Sequence, residues 1–335
     1  MQSVQASIDA ALRDRVRAPM QPSALRIRAY FAPVARDTET PSIFDPAASA
    51  EFDLESPPAP WVDAGWIENF SRTSGTRVQP LRSGAKGAVS GQFRSRLEAR
   101  VEFDFEQWGK LQMAIAGGAE HLNVLAAAAS AGPRPAGGQA IAAVPLQAGS
   151  TATELPLAPA GLASFAIGDI VAVDSDYQQQ TGYVGSGIAG AFVKDPAEVG
   201  GDIDFIRRVT FNVGRVAYKS ATSLTLAQPL LGGAPPSGAA LQKVVAFVDR
   251  EGGSFFQEWS ALFVIPEDVG GRVCFYYPRV QSGAPAQEKA AVVADPLKLY
   301  ALHAALVALS YTDPADGRQV VCYRSYFPAA KAALY

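Results

Sequence analysis

The sequence predicts a mainly β protein, an antiparallel β-sandwich or barrel with long hairpin strands, one or two short helices and an inserted small β-barrel module. Two observations predict this class. Apolar and polar residues alternate along one stretch from Gly91 to Gln107, and several shorter runs rich in Val, Phe and Tyr are separated by Gly and Pro. With 335 residues, 48% of them apolar, the chain can bury a large core.

Residues 1–20 form a short amphipathic pattern that predicts a helical arm. Val4, Ile8, Leu12 and Val16 recur at four-residue spacing before Pro19. We expect the arm to dock on its own core or on a neighbouring subunit, and the pattern fits both. Because the segment has no apolar signal-peptide core, we expect synthesis and folding in a reducing cytoplasm.

Residues 25–70 predict two strands separated by a long loop. The first strand covers Leu25 to Tyr30, and a stretch rich in Pro, Asp and Ser then runs to Pro60, which predicts a surface loop. From Trp61 to Phe70 the chain is rich in aromatic residues around Gly65, which favours a strand that packs large rings.

The stretch from Gly91 to Gln107 has the clearest pattern in the chain. Its odd positions hold Phe93, Ser95, Leu97, Ala99, Val101, Phe103 and Phe105, and its even positions hold Gln92, Arg94, Arg96, Glu98, Arg100, Glu102, Asp104 and Glu106. An unbroken period of two predicts a strand with one apolar face and one charged face. At ~3.3 Å per residue it would reach roughly 55 Å, so we expect the sheet to continue across subunits.

Beyond this strand the chain divides into a discontinuous core and an insertion. Leu111 and Ile115 predict a short helix that ends in glycine, and an Ala-, Gly- and Pro-rich linker follows up to Gly138. Short strands with turns predict an inserted β module over residues 139–242, so the core would comprise 21–138 and 243–335. Leu297 to Leu309 fits either a helix or a strand, and Val320 to Phe327 favours a strand.

Two motifs in the insertion point weakly to ligands. Gly185, Gly187 and Gly190 match a dinucleotide-binding spacing, but Pro196 and paired glycines disfavour the helix that this motif requires. Asp174 with Asp176, and Asp202 with Asp204, offer carboxylates for Ca²⁺ or Mg²⁺ without the rest of an EF-hand loop. We expect flexible or turn-rich loops here, with no cofactor and no metal.

Catalysis is not expected either. The only histidines, His121 and His303, lie in no recognisable nucleophile motif. The charged face of the long strand fits a solvated sheet, a Glu102–Asp104 acid/base pair or a wall of charge repeated between subunits. Four tryptophans could line a sugar platform, although core packing is their commoner use: Trp61, Trp66, Trp108 and Trp259.

Charge and cysteine content limit the partners. A net charge of −3 gives no overall basic field, so tight nucleic-acid binding is not expected. No apolar run approaches the roughly 20 residues of a membrane span, so no membrane partner is expected. Cys274 and Cys322 lie in apolar strand-like runs outside any CxxC motif, which predicts reduced core residues.

Several segments resemble the tail tube and related virion tail proteins of tailed phages and phage-derived particles. They are PWVDAGWIENFSR, LRSGAKG, RLEARVEFDFEQWGKLQMAIAGG, VDREGGSFFQEWSALFV and VVCYRSYFP. The resemblance covers most of the chain outside the insertion. It implies long hairpin strands from six subunits that join into one barrel, and stacked rings through which DNA passes without specific binding.

The resemblance also implies where this chain would act. It would be made and assembled in the host cytoplasm and reside in a virion tail, next to other tail or baseplate proteins. Glu98, Glu102, Asp104 and Glu106 become candidates for the lumen side, on a face that also carries Arg94, Arg96 and Arg100. The insertion exceeds a compact tube subunit, so a baseplate or adaptor protein is an alternative, as is a carbohydrate- or surface-binding module.

Overall fold

The computed structural model describes residues 26–34, 39–48, 52–58, 60–83, 87–118, 120–126, 141–174, 213–230, 233–235, 237–250, 258–266, 271–283, 287–289 and 301–327. The elements in chain order are β1 (Ile27–Pro33), β2 (Val62–Ser83), β3 (Ala88–Phe105), α1 (Lys110–Gly117), β4 (Glu120–Leu125), β5 (Val144–Pro145), β6 (Glu154–Pro156), α2 (Pro159–Leu162), β7 (Ile170–Asp174), β8 (Val213–Lys219), β9 (Ser223–Leu226), β10 (Ala240–Arg250), β11 (Glu258–Pro266), β12 (Arg272–Ser282), β13 (Gln287–Lys289), β14 (Ala301–Ala308), β15 (Tyr311–Thr312), β16 (Gln319–Val320) and β17 (Tyr323–Phe327). The predicted mainly β class is confirmed.

Six antiparallel strands close into a barrel. Their order is β14, β3, β2, β1, β11 and β12, and β12 pairs back onto β14. Side chains from every strand fill the interior, among them Phe31, Phe103, Phe263 and Trp259, all almost fully buried. Ring pairs such as Phe103 with Phe263, whose centroids are 5.4 Å apart, pack edge to face. The interior of the barrel is therefore a packed core.

Helix α1 lies across one end of this barrel. Gln112 Nε2 donates a hydrogen bond to the Ala64 carbonyl of β2, and Ser282 Oγ of β12 donates to the Ala116 carbonyl. Because β2 and β12 stand on opposite sides of the barrel, the helix spans the opening. Ile115 is fully buried in the barrel core, and Gly118 ends the helix in a left-handed conformation, so the predicted short helix ending in glycine is confirmed.

The loop between β1 and β2 packs on the outside of the barrel. Its described parts are irregular, as predicted, but Phe44 and Phe52 are buried with Trp61 against the outer face of β1, β11 and β12. The prediction of a surface loop is wrong for these aromatic residues, because the outward side chains of β1 and β11 are themselves apolar and need a cover. As a result both strands are buried on both faces.

Two largely buried arginines fix this loop. Arg28 on β1 donates to Asp63 and Glu55, and Arg279 on β12 donates to Glu258 and Glu39. The hydrogen bond with Asp63 is the largest influence on the pKa of Arg28, which lies above its usual value, and the bond with Glu258 has the same effect on the pKa of Arg279. Each pair lets a guanidinium sit against apolar side chains while its charge is compensated.

The segment from Leu297 to Leu309, whose pattern fits either a helix or a strand, forms strand β14 in its described part. β14 pairs with β3 from Leu302↔Phe105 to Ala308↔Ala99. Its even-numbered residues are buried and its odd-numbered residues are half-buried. Leu302 and Leu306 satisfy helical spacing as well, but in the strand Ala304 and Ala308 share their inward face. The pairing of β14 with β12, which closes the barrel, therefore favours the strand over the helix.

A second set of strands forms a smaller barrel. Strands β4, β10, β7, β8, β9 and β6 are neighbours in that order, and β5 pairs with β10. A bridge between Leu146 and Leu157 joins the segments that follow β5 and β6, which closes the circuit. Leu155, Val171 and Leu224 are among its fully buried core residues. The sheet includes β4 and all of β10, so it extends beyond residues 139–242; the predicted domain boundaries stay a prediction.

The remaining predictions on composition concern thiols and membrane spans. Cys274 is a buried free thiol and Cys322 a half-buried one, as predicted. Burial raises the pKa of Cys274 to about 12 and also raises the pKa of Cys322. Within the described part of the chain, no helix has the length and apolar character that crossing a membrane requires.

Candidate functional site

The long hairpin of β2 and β3 extends well beyond the barrel. β2 pairs with β1 only as far as Ile67, and β3 pairs with β14 only from Ala99 onward. β2 and β3 nevertheless stay paired with each other as far as Ser83↔Ala88. The part from Gly75 to Glu98 is called the ribbon below. Its described residues form a two-stranded projection of roughly 30 Å whose outer edges pair with no other described strand.

The predicted long strand is confirmed, but its alternation is not unbroken. Arg96 is the partner of Arg77, and Arg94 is the partner of Val78, so the pairing skips Ser95. Such a β-bulge exchanges the faces of the residues beyond it, here as far as a second bulge at Ser90, where the pairing passes from Leu81↔Gly91 to Arg82↔Val89. Phe93 therefore lies on the face opposite to Leu97, although both hold odd positions. The prediction that they share one face is wrong for this reason.

The bulge places exposed apolar side chains on both faces of the ribbon. Pairing puts Val78, Val89 and Leu97 on the face that continues into the barrel interior, and Leu81 and Phe93 on the other. All five are between 40% and 51% exposed. Ala99, Val101, Phe103 and Phe105, in the same strand but inside the barrel, are almost fully buried. One strand thus has a buried half and an uncovered half.

Arg72 lies on β2 three residues before the ribbon begins, at what is called the root of the ribbon below. Its Nε donates to the Tyr277 hydroxyl at 3.0 Å, and its guanidinium carbon lies 4.8 Å from the centroid of the Phe275 ring. Burial is the largest single influence and lowers the pKa of Arg72, but the hydrogen bonds and charge interactions with Tyr277 and Cys322 together outweigh it, so the pKa lies above its ordinary value. This arginine shields the barrel core where the two strands leave it.

The ribbon is also a basic segment of a weakly acidic chain. Residues 75–98 contain five basic residues and one acidic residue, namely Arg77, Arg82, Lys86, Arg94, Arg96 and Glu98. Its formal charge is +4, against −3 for the whole chain. Arg82 is exposed and donates to the Gly87 carbonyl at 3.1 Å near the tip. Sequence reasoning missed this segregation because opposite charges elsewhere mask it in the total.

The predicted lumen carboxylates lie at or beyond the root of the ribbon. Glu98 is its last residue, Glu102 and Asp104 lie on the barrel exterior, and Glu106 follows the end of β3. Glu98 and Glu102 are exposed, and the other two are half-buried. Three of the four therefore stand beside the chain's own barrel and not on the projecting strands. Their assignment to a lumen stays a prediction.

Asp104 and His303 are brought together, which no sequence motif indicated. His303 Nδ1 lies 2.7 Å from Asp104 Oδ1, and Asn69 Nδ2 donates to Asp104 Oδ2 at 2.7 Å. A carboxylate that orients a histidine is a common element of general-base sites. Here the three side chains belong to adjacent strands on the outer face of the barrel, so the arrangement also serves to tie β2, β3 and β14 together.

The four tryptophans do not share a surface. Trp259 is inside the barrel and Trp61 lies in the outer cluster, both almost fully buried, whereas Trp66 and Trp108 are half-buried. The guanidinium carbons of Arg26 and Arg28 lie 5.8 and 5.2 Å from the centroid of Trp66. These positions favour packing and cation–π contacts over a sugar platform.

The other candidates lie largely outside the described residues. These are the arm residues Val4, Ile8, Leu12 and Val16, the glycines Gly185, Gly187 and Gly190, and the aspartates Asp176, Asp202 and Asp204. Asp174 ends β7 and His121 lies in β4, with only their backbones described. Among the residues that are described, no group of three or more His, Cys, Asp or Glu side chains is arranged to hold a metal ion.

Comparison with known proteins adds no relative. No protein-family model matches the chain, and no curated protein matches it. The functional argument therefore depends on the ribbon, the barrel and the sequence resemblance.

Proposed function

We propose that this chain is a structural subunit that self-assembles through its ribbon into rings, and that stacked rings form a phage-type tail tube that conducts DNA. The observation that carries the proposal is the ribbon, whose two outer edges pair with no other strand of the described residues and which exposes five large apolar side chains. An isolated two-stranded ribbon of this length is poorly stabilised by itself. Pairing with strands of neighbouring copies would satisfy its edges and cover its apolar residues.

The apolar side chains that assembly would bury give the expected size of their contribution to the free energy of association. Complete burial of one large apolar side chain contributes roughly 1.5–3 kcal/mol, so half-exposed residues contribute about half as much each. Five such residues per copy contribute roughly 4–8 kcal/mol, which lies within the range of about 4–15 kcal/mol that association costs, so pairing of the strand edges has to add to it. Because the interior of the barrel is packed, any conduit would have to lie between copies and not through the barrel of one chain.

A baseplate or adaptor protein is the second candidate. The observation that favours it is the second barrel, which adds a separate apolar core to the chain. Such a subunit would form one ring without stacking. Tube and adaptor are therefore distinguished by whether rings polymerise.

The experiment compares the wild-type chain with a variant that lacks the ribbon. Residues 77–96 are removed, and Thr76 is joined to Leu97 through Asn-Gly, since these two residues are partners in the hairpin and Asn-Gly favours a two-residue turn. The strand pairs of the barrel begin at Ala99 and are kept. Sedimentation velocity and negative-stain microscopy should find rings or tubes for the wild type and monomers for the variant.

A matched control removes apolar surface elsewhere. Tyr218→Ala on the second barrel changes a side chain that is 60% exposed and should leave assembly unaffected. Near-UV circular dichroism checks that both variants keep the barrel. Wild-type protein that stays monomeric at every concentration, or a ribbonless variant that still forms rings, would contradict the proposal.

A further inference from the structure

We propose that the N-terminal arm, residues 1–20, docks on one face of the ribbon of its own chain. The arm lies outside the described residues, and its sequence predicts an amphipathic helix with Val4, Ile8, Leu12 and Val16 on the apolar side. The inference concerns the single chain and goes beyond the proposed function, because it does not require that copies associate.

The docking surface is the face of the ribbon that continues into the barrel interior. Pairing places Val78, Val89 and Leu97 on this face, where their side chains are between 40% and 50% exposed. Pro80 is exposed on the same face. The barrel buries Ala99, the next residue of this face in β3 after Leu97, so the exposed row begins where the barrel ends. Covering such a row with apolar side chains is favourable.

The chain that precedes the described residues joins the barrel at the base of this face. β1 starts at Ile27, which pairs with Ile67, and Ile67 is the last residue of β2 that pairs with β1. β2 then continues into the ribbon, so Arg26, the first described residue, lies at the end of the barrel from which the ribbon projects. Helix α1 lies across the opposite end. The arm is therefore tethered beside the ribbon.

The apolar side of the arm matches the exposed row in length. Leu97 and Val89 pair with residues of β2 that are six positions apart, so the row extends over roughly 20 Å. A helix rises ~18 Å from Val4 to Val16. One helix of the predicted length thus covers the row from the root of the ribbon towards its tip.

The connection between the arm and β1 is long enough for this position. Phe105 pairs with Ile67, and Leu97 lies eight residues before Phe105 in β3, or roughly 26 Å away. Nine residues separate Val16 from Arg26, and an extended connection of this length spans ~33 Å. Val16 can therefore lie beside Leu97, with the start of the arm towards the tip of the ribbon.

The tether favours the ribbon of the same chain over the ribbon of a second copy. Docking within one chain occurs at a high effective concentration and avoids the entropy cost of bringing two molecules together. A second copy remains the competing acceptor, and its contribution rises with protein concentration. This difference separates the two acceptors in the test.

Docking of the arm also affects the association proposed above. A neighbouring copy that covers Val78, Val89 and Leu97 must first displace the arm, because both bind the same side chains. Removal of residues 1–20 should therefore lower the concentration at which copies associate, by about tenfold, since every ribbon is then competent to bind.

Trypsin tests the docking in the full chain, at a protein concentration where sedimentation velocity finds monomers. The arm contains Arg13, Arg15 and Arg17, and docking should slow cleavage after them, because proteolysis follows the population of undocked arm. Val89→Asn with Leu97→Asn removes apolar contacts on the docking face and should speed this cleavage by about tenfold. Mass spectrometry of the fragments identifies the cleaved bonds.

Two further variants complete the comparison. Leu81→Asn with Phe93→Asn changes similarly exposed side chains on the other face and should leave cleavage of the arm unchanged. Ile8→Asn with Leu12→Asn changes the arm itself and should speed cleavage as much as the docking-face variant. Because the arm variant leaves the barrel sequence intact, it tests the docking even where ribbon substitutions disturb folding, which near-UV circular dichroism measures.

The outcomes separate the docking from the proposed function. Wild-type cleavage as fast as that of the arm variant, or equal acceleration by the two ribbon variants, overturns the docking. Protection that increases with protein concentration places the arm on a second copy and overturns docking within one chain. Protection that is independent of concentration, in a chain that never associates, supports the docking and contradicts only the proposed function.

Discussion

Asp104 and His303 bind each other across neighbouring strands, with 2.7 Å between Oδ1 and Nδ1. The second carboxylate oxygen of Asp104 accepts a hydrogen bond from Asn69, which has a positive φ of 53°. Asn is one of the few residues that tolerate this conformation. One carboxylate therefore links three strands of the barrel.

Replacement of Asp104 should destabilise the barrel without affecting the ribbon. Asp104→Ala removes both hydrogen bonds of a partly buried site, and we expect the free energy of unfolding to fall by about 1–2 kcal/mol. Urea unfolding followed by fluorescence measures this change. Glu102→Ala, two residues away on the same face and exposed, is the control and should change stability by less than about 0.5 kcal/mol. Equal effects of the two substitutions would show that the Asp104 contacts contribute nothing.

Gly118 is required at the end of α1 for two reasons. Its φ is +56°, and a Cβ at this position would lie 2.6 Å from Cβ of Ser282. Gly118→Ala should therefore lower the free energy of unfolding by about 1–3 kcal/mol. Gly149→Ala is a matched control, because that glycine has a φ of +87° and an added Cβ would meet no other atom within 4 Å. A smaller loss is expected there, and thermal unfolding of both variants makes the comparison.

Alkaline pH should unfold the protein through its buried hydroxyl and thiol groups. Burial raises the pKa of Tyr277 and of Cys274 to about 12 each, and it raises the pKa of Tyr30 and Tyr276 as well. A raised pKa in the folded state means that the unfolded chain loses protons first as the pH increases. The stability these groups contribute is complete below their unfolded pKa values and is lost from about pH 9 to pH 12, by up to roughly 1.4 kcal/mol per pH unit for each group.

Urea unfolding at a series of pH values measures this slope. Tyr277→Phe removes one titrating group, so its stability should fall less steeply with pH than that of the wild type, whatever its stability at neutral pH. An identical slope for the two proteins would exclude Tyr277 as a contributor. Absorbance of ionised tyrosine offers an independent readout, since the buried rings should ionise only as the chain unfolds.

The sequence predicted the fold better than it predicted the face of the strand on which each side chain lies. The residues from Ala99 to Phe105 alternate, and the barrel buries the apolar set as period two requires. The skipped residue Ser95 could not be foreseen, because a bulge depends on how β3 pairs with β2. The same holds for Phe44, which looks like part of a polar loop until the outer face of the barrel is known to be apolar. The charge of the ribbon was readable from the sequence, but only after its boundaries were known.

Phe93 and Phe103 test the division of β3 into a covered and an uncovered half. Phe103 is fully buried, with ring centroids of Phe105 and Phe263 at 5.0 and 5.4 Å. Phe103→Ala should lower the free energy of unfolding by about 3–5 kcal/mol, because it leaves a cavity in a packed core. Phe93 is 45% exposed, so Phe93→Ala should change the stability of the monomer by less than about 0.5 kcal/mol.

The two substitutions should rank in the opposite order for assembly: Phe93→Ala should weaken the association of copies more directly than Phe103→Ala does. If ribbon residues are covered by neighbouring copies, Phe93→Ala removes apolar burial that exists only in the assembly and should weaken association by roughly tenfold. The same substitution type in one strand then separates folding from association, with unfolding measured by urea and association by sedimentation velocity. Because Phe93 and Leu97 lie on opposite faces, Leu97→Ala distinguishes one covered face from two. If only Phe93→Ala weakens association, neighbouring copies cover only the face that carries Phe93. If both substitutions weaken association equally, neighbouring copies cover both faces of the ribbon.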